Sequence, residues 1–298
     1  MKKLTALLLS ALMLTTVAAF TSCGETANET NDVNDQIETE VEGETETETE
    51  TEAETETDAD SDWAYVSDNG KLVVGMTLFA PMNYYDDDNN FIGFETEFSK
   101  AVAEKLGLEA EFVEIDWTTK EIELAAKSID VIWNGMTITP ERAEAMSITI
   151  PYMQNKQVLV AKAENAESYA ASVEGLTIVA EAESAGESVA TTDDFFASAD
   201  YVAVDTQAKA LMEVSSGTAD ACVVDFVASI GMIGEGTDYE NLVVVATEEF
   251  SPEQYGAAFR KGSDITEKVN AAIKELKADG TLDTIAAKYK LAELICVE

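Results

Sequence analysis

Ile122-Glu123-Leu124-Ala125-Ala126-Lys127-Ser128-Ile129-Asp130-Val131-Ile132-Trp133-Asn134 sets Ile122, Ala125, Ala126 and Ile129 at helical spacing, then runs directly into a short β-branched strand signal over residues 130–134. A helical stripe that hands over at once to a buried strand is the joint of a βαβ unit. Toward the N-terminus, residues 71–75 read as a strand. Phe98, Ala101, Val102 and Leu106 follow at helical spacing, Gly107 is a natural stop, and residues 111–116 read as the next strand. The order is therefore βαβαβ, which implies a parallel sheet. Toward the C-terminus a second α/β unit begins at residues 157–161. Its strands fall at 177–180, 201–204 and 221–224, with helices over 186–197 and 207–216. Residues 241–245 and 255–259 give two further strands, and helices over 265–278 and 282–289 close the chain. Open parallel sheets take ligands outside the carboxyl ends of their strands, so two such units side by side enclose a cleft. The expected fold class is α/β, with two lobes that each hold a mainly parallel sheet flanked by helices.

The chain has 298 residues and is 46% hydrophobic, enough for two domains with real cores. Its start differs from the rest. Met1-Lys2-Lys3 is basic, residues 4–20 are almost uncharged and apolar, and Thr21-Ser22-Cys23-Gly24 follows, which is the grammar of an export signal over residues 1–23. The apolar run is short for a membrane span. Residues 25–62 alternate Thr and Glu and carry 17 acidic and no basic residues. Such a stretch cannot bury enough surface to offset chain entropy, so residues 24–62 are expected to be a disordered, self-repelling tether. The remainder still holds 42 acidic against 16 basic residues. That field argues against nucleic acid and anionic lipid surfaces as partners. Cys222 and Cys296 show no metal-ligand spacing and read as free thiols; no metal or other cofactor is expected.

Several spaced features make residues 70–290 resemble the bacterial extracellular solute-binding proteins of family 3, the amino-acid receptors of ABC importers. Val73-Val74-Gly75 leads to Phe79-Ala80-Pro81, and Phe91-Ile92-Gly93-Phe94-Glu95 opens a helix ending at Lys105-Leu106-Gly107. Asp116-Trp117, Ile129-Asp130-Val131-Ile132, Pro151-Tyr152, Asp279-Gly280-Thr281-Leu282 and Lys288-Tyr289 fit as well. Gly135-Met136-Thr137-Ile138-Thr139-Pro140-Glu141-Arg142 is the most specific part. The resemblance implies the periplasmic-binding-protein type II fold: residues 63–156 and 252–298 form lobe 1, residues 157–251 form lobe 2, and a two-segment hinge joins them near residues 156–160 and 248–252. Phe20-Thr21-Ser22-Cys23 resembles the lipobox of bacterial lipoproteins, with Phe20 where Leu is usual. That implies a lipid on Cys23 and attachment to the outer face of the cytoplasmic membrane.

The residues support their own reading beside the family's. Thr139 can cap a helix that starts at Pro140, which leaves backbone N–H groups of residues 135–137 pointing into the strand-end cleft as an anion site. Arg142 supplies a planar two-pronged donor for a carboxylate. The resemblance assigns Arg142 to the ligand's α-carboxylate, Asp225 to its α-amino group, and Phe79 and Trp117 to an aromatic sandwich suited to an ammonium and its aliphatic stem. Apart from the family, Asp225 could equally cap a helix starting at Phe226. Asn134, Gly135 and Thr137 complete a polar floor. Ser184 stands where the family has a Gly-Ser-Thr turn donating to the carboxylate, here altered to Glu183-Ser184-Ala185-Gly186. One residue fewer separates Gly75 from Pro81 than in well-known relatives, so Thr77 is nearest to where they carry an acid. Glu181 and Glu183 lie near the same rim and would disfavour an acidic ligand, although most carboxylates of so acidic a chain are merely solvated.

The function these features imply is capture of a free amino acid by hinge closure and its delivery, by a monomer, to an importer permease. An enzyme on the same scaffold, dehydratase-like, is the first rival. The chain has no histidine and no G-x-S-x-G elbow to support it. A sensor module is the second, and would need a membrane span that the sequence does not show.

Overall fold

Ser61, the first residue described, caps helix α1 (Asp62–Asn69), its hydroxyl accepting from the Ala64 N–H. The structure, a computed structural model, describes residues 61–247 and 250–298. The expected signal segment, Cys23 and nearly all of the tether lie outside these residues, as does the start of the second hinge segment at Glu248. The expected tether does not reach Asp62, whose carboxylate receives the Arg260 Nε–H at 2.9 Å, so its charge belongs to the folded body.

The first sheet grows from β1 (Lys71–Met76), whose small and β-branched residues allow burial on both faces. A two-stranded hairpin, β2 (Tyr84–Tyr85) and β3 (Phe91–Ile92), leads into α2 (Phe94–Lys105), and β4 (Glu109–Glu114) returns parallel to β1. After a 3₁₀ turn at Trp117–Thr119 come α3 (Lys120–Ala125) and β5 (Val131–Ile132), parallel to β1 on its other side. Helix α3 is shorter than its apolar spacing suggests. Ile122 is 69% exposed, whereas Ile129 leaves the helix and is fully buried. Helix α4 (Pro140–Ala145) and β6 (Ser147–Ile148) follow.

The long strand β7 (Met153–Lys162) carries the chain into the second sheet. There α5 (Ala166–Ala171), β8 (Thr177–Glu181), α6 (Ala185–Thr192), β9 (Asp200–Val204), α7 (Gln207–Ser216) and β10 (Ala221–Asp225) alternate. Helix α8 (Phe226–Met232) and β11 (Leu242–Val244) lead to β12 (Phe250–Tyr255), which brings the chain back. The expected strand over 255–259 is in fact two: β12 ends at Tyr255, and β13 (Ala258–Phe259) joins the first sheet. Gly256 lies at the break, where an added Cβ would sit 2.6 Å from Ile148. Helices α9 (Ile265–Ala278) and α10 (Thr281–Lys288) then pack on α2.

The sheet orders are β4-β1-β5-β13-β6 and β11-β7-β10-β8-β9, with β12 on β7. Both sheets have the expected parallel core. Both are nonetheless mixed, because the strands entering from the crossings, β7, β12 and β13, pair antiparallel. Each sheet has its own apolar core, one around Phe94, Phe98 and Trp133, the other around Leu159, Ile178 and Val223. The crossing is itself a two-stranded ribbon, Met153–Asn155 against Glu253–Tyr255, with an irregularity between Phe250 and Glu253. It lies N-terminal to the first expected hinge segment, since Val158–Val160 are already paired with β10 inside the second sheet.

Candidate functional site

The anchor loop after β5 is built as its sequence implies. Thr139 accepts from the Arg142 N–H at 3.2 Å, Pro140 takes the first helical position, and α4 begins. Gly135 has φ 57°, and an added Cβ would lie 3.1 Å from Phe79 Cζ and 3.3 Å from Tyr255 Cζ, so only glycine suits the position. Its N–H does not serve the cleft as expected. It donates to both oxygens of Glu95 at 2.8 and 3.0 Å, and the fully buried Glu95 also receives Asn83 and the Tyr152 hydroxyl. Burial pushes Glu95 up to about 7 against the pull of these donors. Asn134 is likewise turned to structure, donating to Thr77 Oγ1 at 2.6 Å and accepting from Asn83 at 2.9 Å. Both groups brace the loop that presents Arg142.

Arg142 spans the two lobes. Its Nη1 donates to the Thr137 carbonyl at 2.9 Å, and its Nη2 donates to the Glu183 carbonyl at 3.1 Å, in the turn between β8 and α6. Burial draws the guanidinium's pKa down, while Glu253, Glu121, Asp225 and Glu183 around it draw it up. The turn it touches is held from both sides: Ser184 Oγ caps the helix by accepting from the Glu187 N–H at 3.1 Å, and the Glu187 carboxylate reaches back to accept from the Glu183 N–H at 2.7 Å. Ser184 is thus at the predicted place beside Arg142, and its hydroxyl caps α6. Glu183 holds φ 60°, a conformation that suits the glycine of the ordinary family turn.

Asp225 ends β10, where a strand-end carboxylate was expected. It does not cap α8; Asn155 Oδ1 accepts from the Val227 N–H instead, at 3.2 Å. Asp225 is 6% exposed and receives only neutral amides: Asn155 at 2.9 Å, with Gln157 and Gln207 closer still. Among the described residues no cation pairs with it directly, and burial raises its pKa. Glu253, on the returning strand of the ribbon, accepts from the same Asn155 and Gln157 amides at 2.6 and 2.9 Å. Burial, and then the Asp225 charge, pushes it up to about 7 against the pull of Asn155, Gln157 and Thr137.

The two aromatic candidates sit in different cores of the first lobe. Phe79 is 3% exposed and lines a groove of about 440 Å³ between the lobes with Ala80, Tyr84, Met232 and Tyr239. Trp117 is 5% exposed, its indole N–H has no partner, and the Lys120 ammonium lies 4.9 Å from its ring centroid. Lys120 Nζ donates to the Trp117 carbonyl at 3.0 Å, and its pKa is lowered, chiefly by burial and then by Arg142. A sandwich between the two rings is therefore contested by a lysine of the chain itself. Across from it Glu181, at the end of β8, is 4% exposed with Oε1 unpartnered, and its pKa rises to about 8.

The structure thus sets Arg142 and Thr137 of the first lobe against the Ser184 turn and Asp225 of the second, keeps Phe79 in a groove of its own and Trp117 beneath Lys120, and turns Asn134 and Gly135 inward. Sequence reasoning missed Asn155, Gln157, Gln207, Glu253, Glu95 and Lys120. Asn155 and Gln157 lie in an unbroken polar run, Gln154-Asn155-Lys156-Gln157, and only the structure separates the two buried amides from their more exposed neighbours. Gln207 and Glu253 carry no local mark.

The chain is 30% identical over 233 residues to the L-cystine-binding protein TcyJ of Escherichia coli (strain K12), covering 75% of this chain and 84% of that one. Among solved structures it is similar to a P235GK mutant of ArgBP from T. maritima, with TM-score 0.70 and 28% identity over 77% of this chain and 99% of that chain. It is also similar to the ancestral amino acid-binding protein AncCDT-1, described as a precursor of cyclohexadienyl dehydratase, with TM-score 0.67 and 30% identity over 77% and 99% of the two chains. The fold is that of the type II periplasmic amino-acid binding proteins. Residues 72–292 match the model of the bacterial extracellular solute-binding proteins, family 3, and the chain belongs to that family.

Proposed function

We propose that the cleft captures a free amino acid as its zwitterion, with Arg142 on the α-carboxylate and Asp225 on the α-ammonium. The observation that carries the reading is the pair itself. Arg142 and Asp225 come from different lobes and feel each other's charge, and Asp225 is buried among amides with no cation of the described residues against it. A buried carboxylate with donors only from neutral groups is stabilised by an incoming ammonium. The Arg142 fork retains donors beyond the two that hold Thr137 and Glu183. Phe79 and Trp117 wall the space for the side chain.

Closure supplies the rest of the mechanism. Lobe 1 (residues 63–156 and 252–298) holds Arg142, and lobe 2 (residues 157–251) brings Asp225 and Ser184; the β7–β12 ribbon is the hinge. Ligand biases closure only through contacts that the closed form adds. The closed shape then docks a monomer on an importer permease. We read the chain as a binding protein and not an enzyme, as the relatives named above are binding proteins. A lipid on Cys23 with residues 24–60 as tether would hold it outside the cytoplasmic membrane. A thermal-shift screen of the purified protein against the amino acids tests the core of this. A ligand at a hundred times its Kd stabilises by about 2.7 kcal/mol, Arg142→Ala is expected to abolish the shift, and a variant that kept it would overturn the carboxylate assignment.

A further inference from the structure

The buried ionisable groups of the cleft are unequal in number. Three carboxyl groups, those of Asp225, Glu253 and Glu181, stand against two cations, Arg142 and Lys120. A zwitterion brings one charge of each sign and leaves the excess carboxyl group without a cation, held toward its neutral acid by burial, whereas a ligand with a second cation favours its ionised form. The exposed carboxylates nearest these groups, Asp116, Glu121 and Glu183, add to the same sign.

Two of the three carboxylates also have oxygens with nothing against them. Glu253 shares the Asn155 and Gln157 amides with Asp225 through Oε1, and its Oε2 is buried without a partner. A cavity of about 480 Å³ lined by Ile138, Asn155 and Glu253 runs along the ribbon beside it. Glu181 is 4% exposed with Oε1 unpartnered, and the charges it feels are those of Asp225, Lys120 and Asp116. The Lys120 ammonium already rests on the Trp117 indole, the kind of face a ligand's cation would use. Among the described residues no group of three acidic, cysteine or histidine side chains converges closely enough to hold a metal ion. The missing counter-charge is then an organic cation.

We propose, on the amino-acid reading of this cleft, that its ligand is a cationic amino acid: Glu253 shares the α-ammonium with Asp225, and Glu181 takes the cation of the side chain. Burial, with the Asp225 carboxyl nearby, pushes Glu181 up to about 8 and Glu253 up to about 7, as expected for carboxyl groups whose full complement of cations arrives with the ligand.

Isothermal titration of the purified protein with L-arginine, L-lysine, L-glutamine and L-glutamate at neutral pH tests this. The tighter of arginine and lysine is expected to bind at least about tenfold more strongly than glutamine, which is about 1.4 kcal/mol. Glu181→Gln is expected to shrink that ratio to about threefold or less, while Glu253→Gln weakens cationic and neutral ligands alike, because it acts on the α-ammonium they share. A neutral amino acid bound as tightly as the better cationic one, with binding lost in Arg142→Ala, overturns this inference and leaves the amino-acid reading standing. A Glu181→Gln ratio equal to that of the unmodified protein also overturns it. Failure of every amino acid to bind sinks the amino-acid reading and the inference with it. The comparison of ligands on the unmodified protein needs no variant to fold.

Discussion

Gly231 lies in α8, the helix that follows Asp225, and packs on the Ala80–Pro81 turn of the other lobe. A Cβ there would stand 2.5 Å from Pro81 N, 2.6 Å from the Ala80 carbonyl carbon and 2.6 Å from Pro81 Cδ. Non-bonded carbons prefer about 3.5–4.0 Å, so in Gly231→Ala the lobes must part by about 1 Å at this point. Forcing one extra methyl into a packed contact costs about 1–3 kcal/mol. Because the contact joins the lobes, the cost falls on the closed form and raises Kd by about fivefold to a hundredfold. The same substitution inside a helix favours the isolated lobe by about 0.5–1 kcal/mol. The ligand-free thermal midpoint is therefore expected to hold or rise while affinity falls. Calorimetry with the bound amino acid and a thermal melt without it read both signs on one variant. Unchanged affinity, or a midpoint and affinity that fall together, refutes the closure argument.

Stability should decline as pH rises from about 4.5 to about 8. Glu95, Glu181 and Glu253 are pushed up to about 7, 8 and 7 from the ordinary carboxylate range, so the folded state holds more protons than the unfolded chain across that window. Stability is then full below the unfolded pKa and is lost as pH passes the folded values; chemical denaturation at several pH values checks it, and a midpoint rising over the window would contradict the assignment. Asp225→Asn places an amide nitrogen against the donors of Asn155, Gln157 and Gln207, and is expected to raise Kd at least about a hundredfold; near-normal binding would show that the α-ammonium sits elsewhere. Arg142→Lys keeps the charge but cannot reach Thr137 and Glu183 together, so affinity should fall at least about thirtyfold. Glu95→Ala leaves the Gly135 N–H and Asn83 without their buried acceptor and should cost about 1–3 kcal/mol of folding stability in urea titration.

Features that depend on short range were legible in the chain alone. The 3.6-residue and two-residue periods marked α2, α7, α9, β8 and β10 close to their observed bounds. Thr139 and Pro140 announced α4 and hence the place of Arg142, because capping is settled within one turn of chain. The Gly135 to Arg142 run carried the family, and with it the cleft. What needed the tertiary structure was every choice among partners far apart in the chain. Whether the Gly135 N–H faced a ligand or Glu95 turned on an acceptor 40 residues away. Whether Asp225 capped its own helix or collected amides turned on Asn155, 70 residues earlier, which took over the capping. Glu253 and Lys120 entered the site because a returning strand and a short turn happen to meet there, and neither position bears a local pattern. A hydrogen-bond donor or a buried charge is settled by whichever complementary group arrives first in space, and periodicity along the chain carries no record of that meeting.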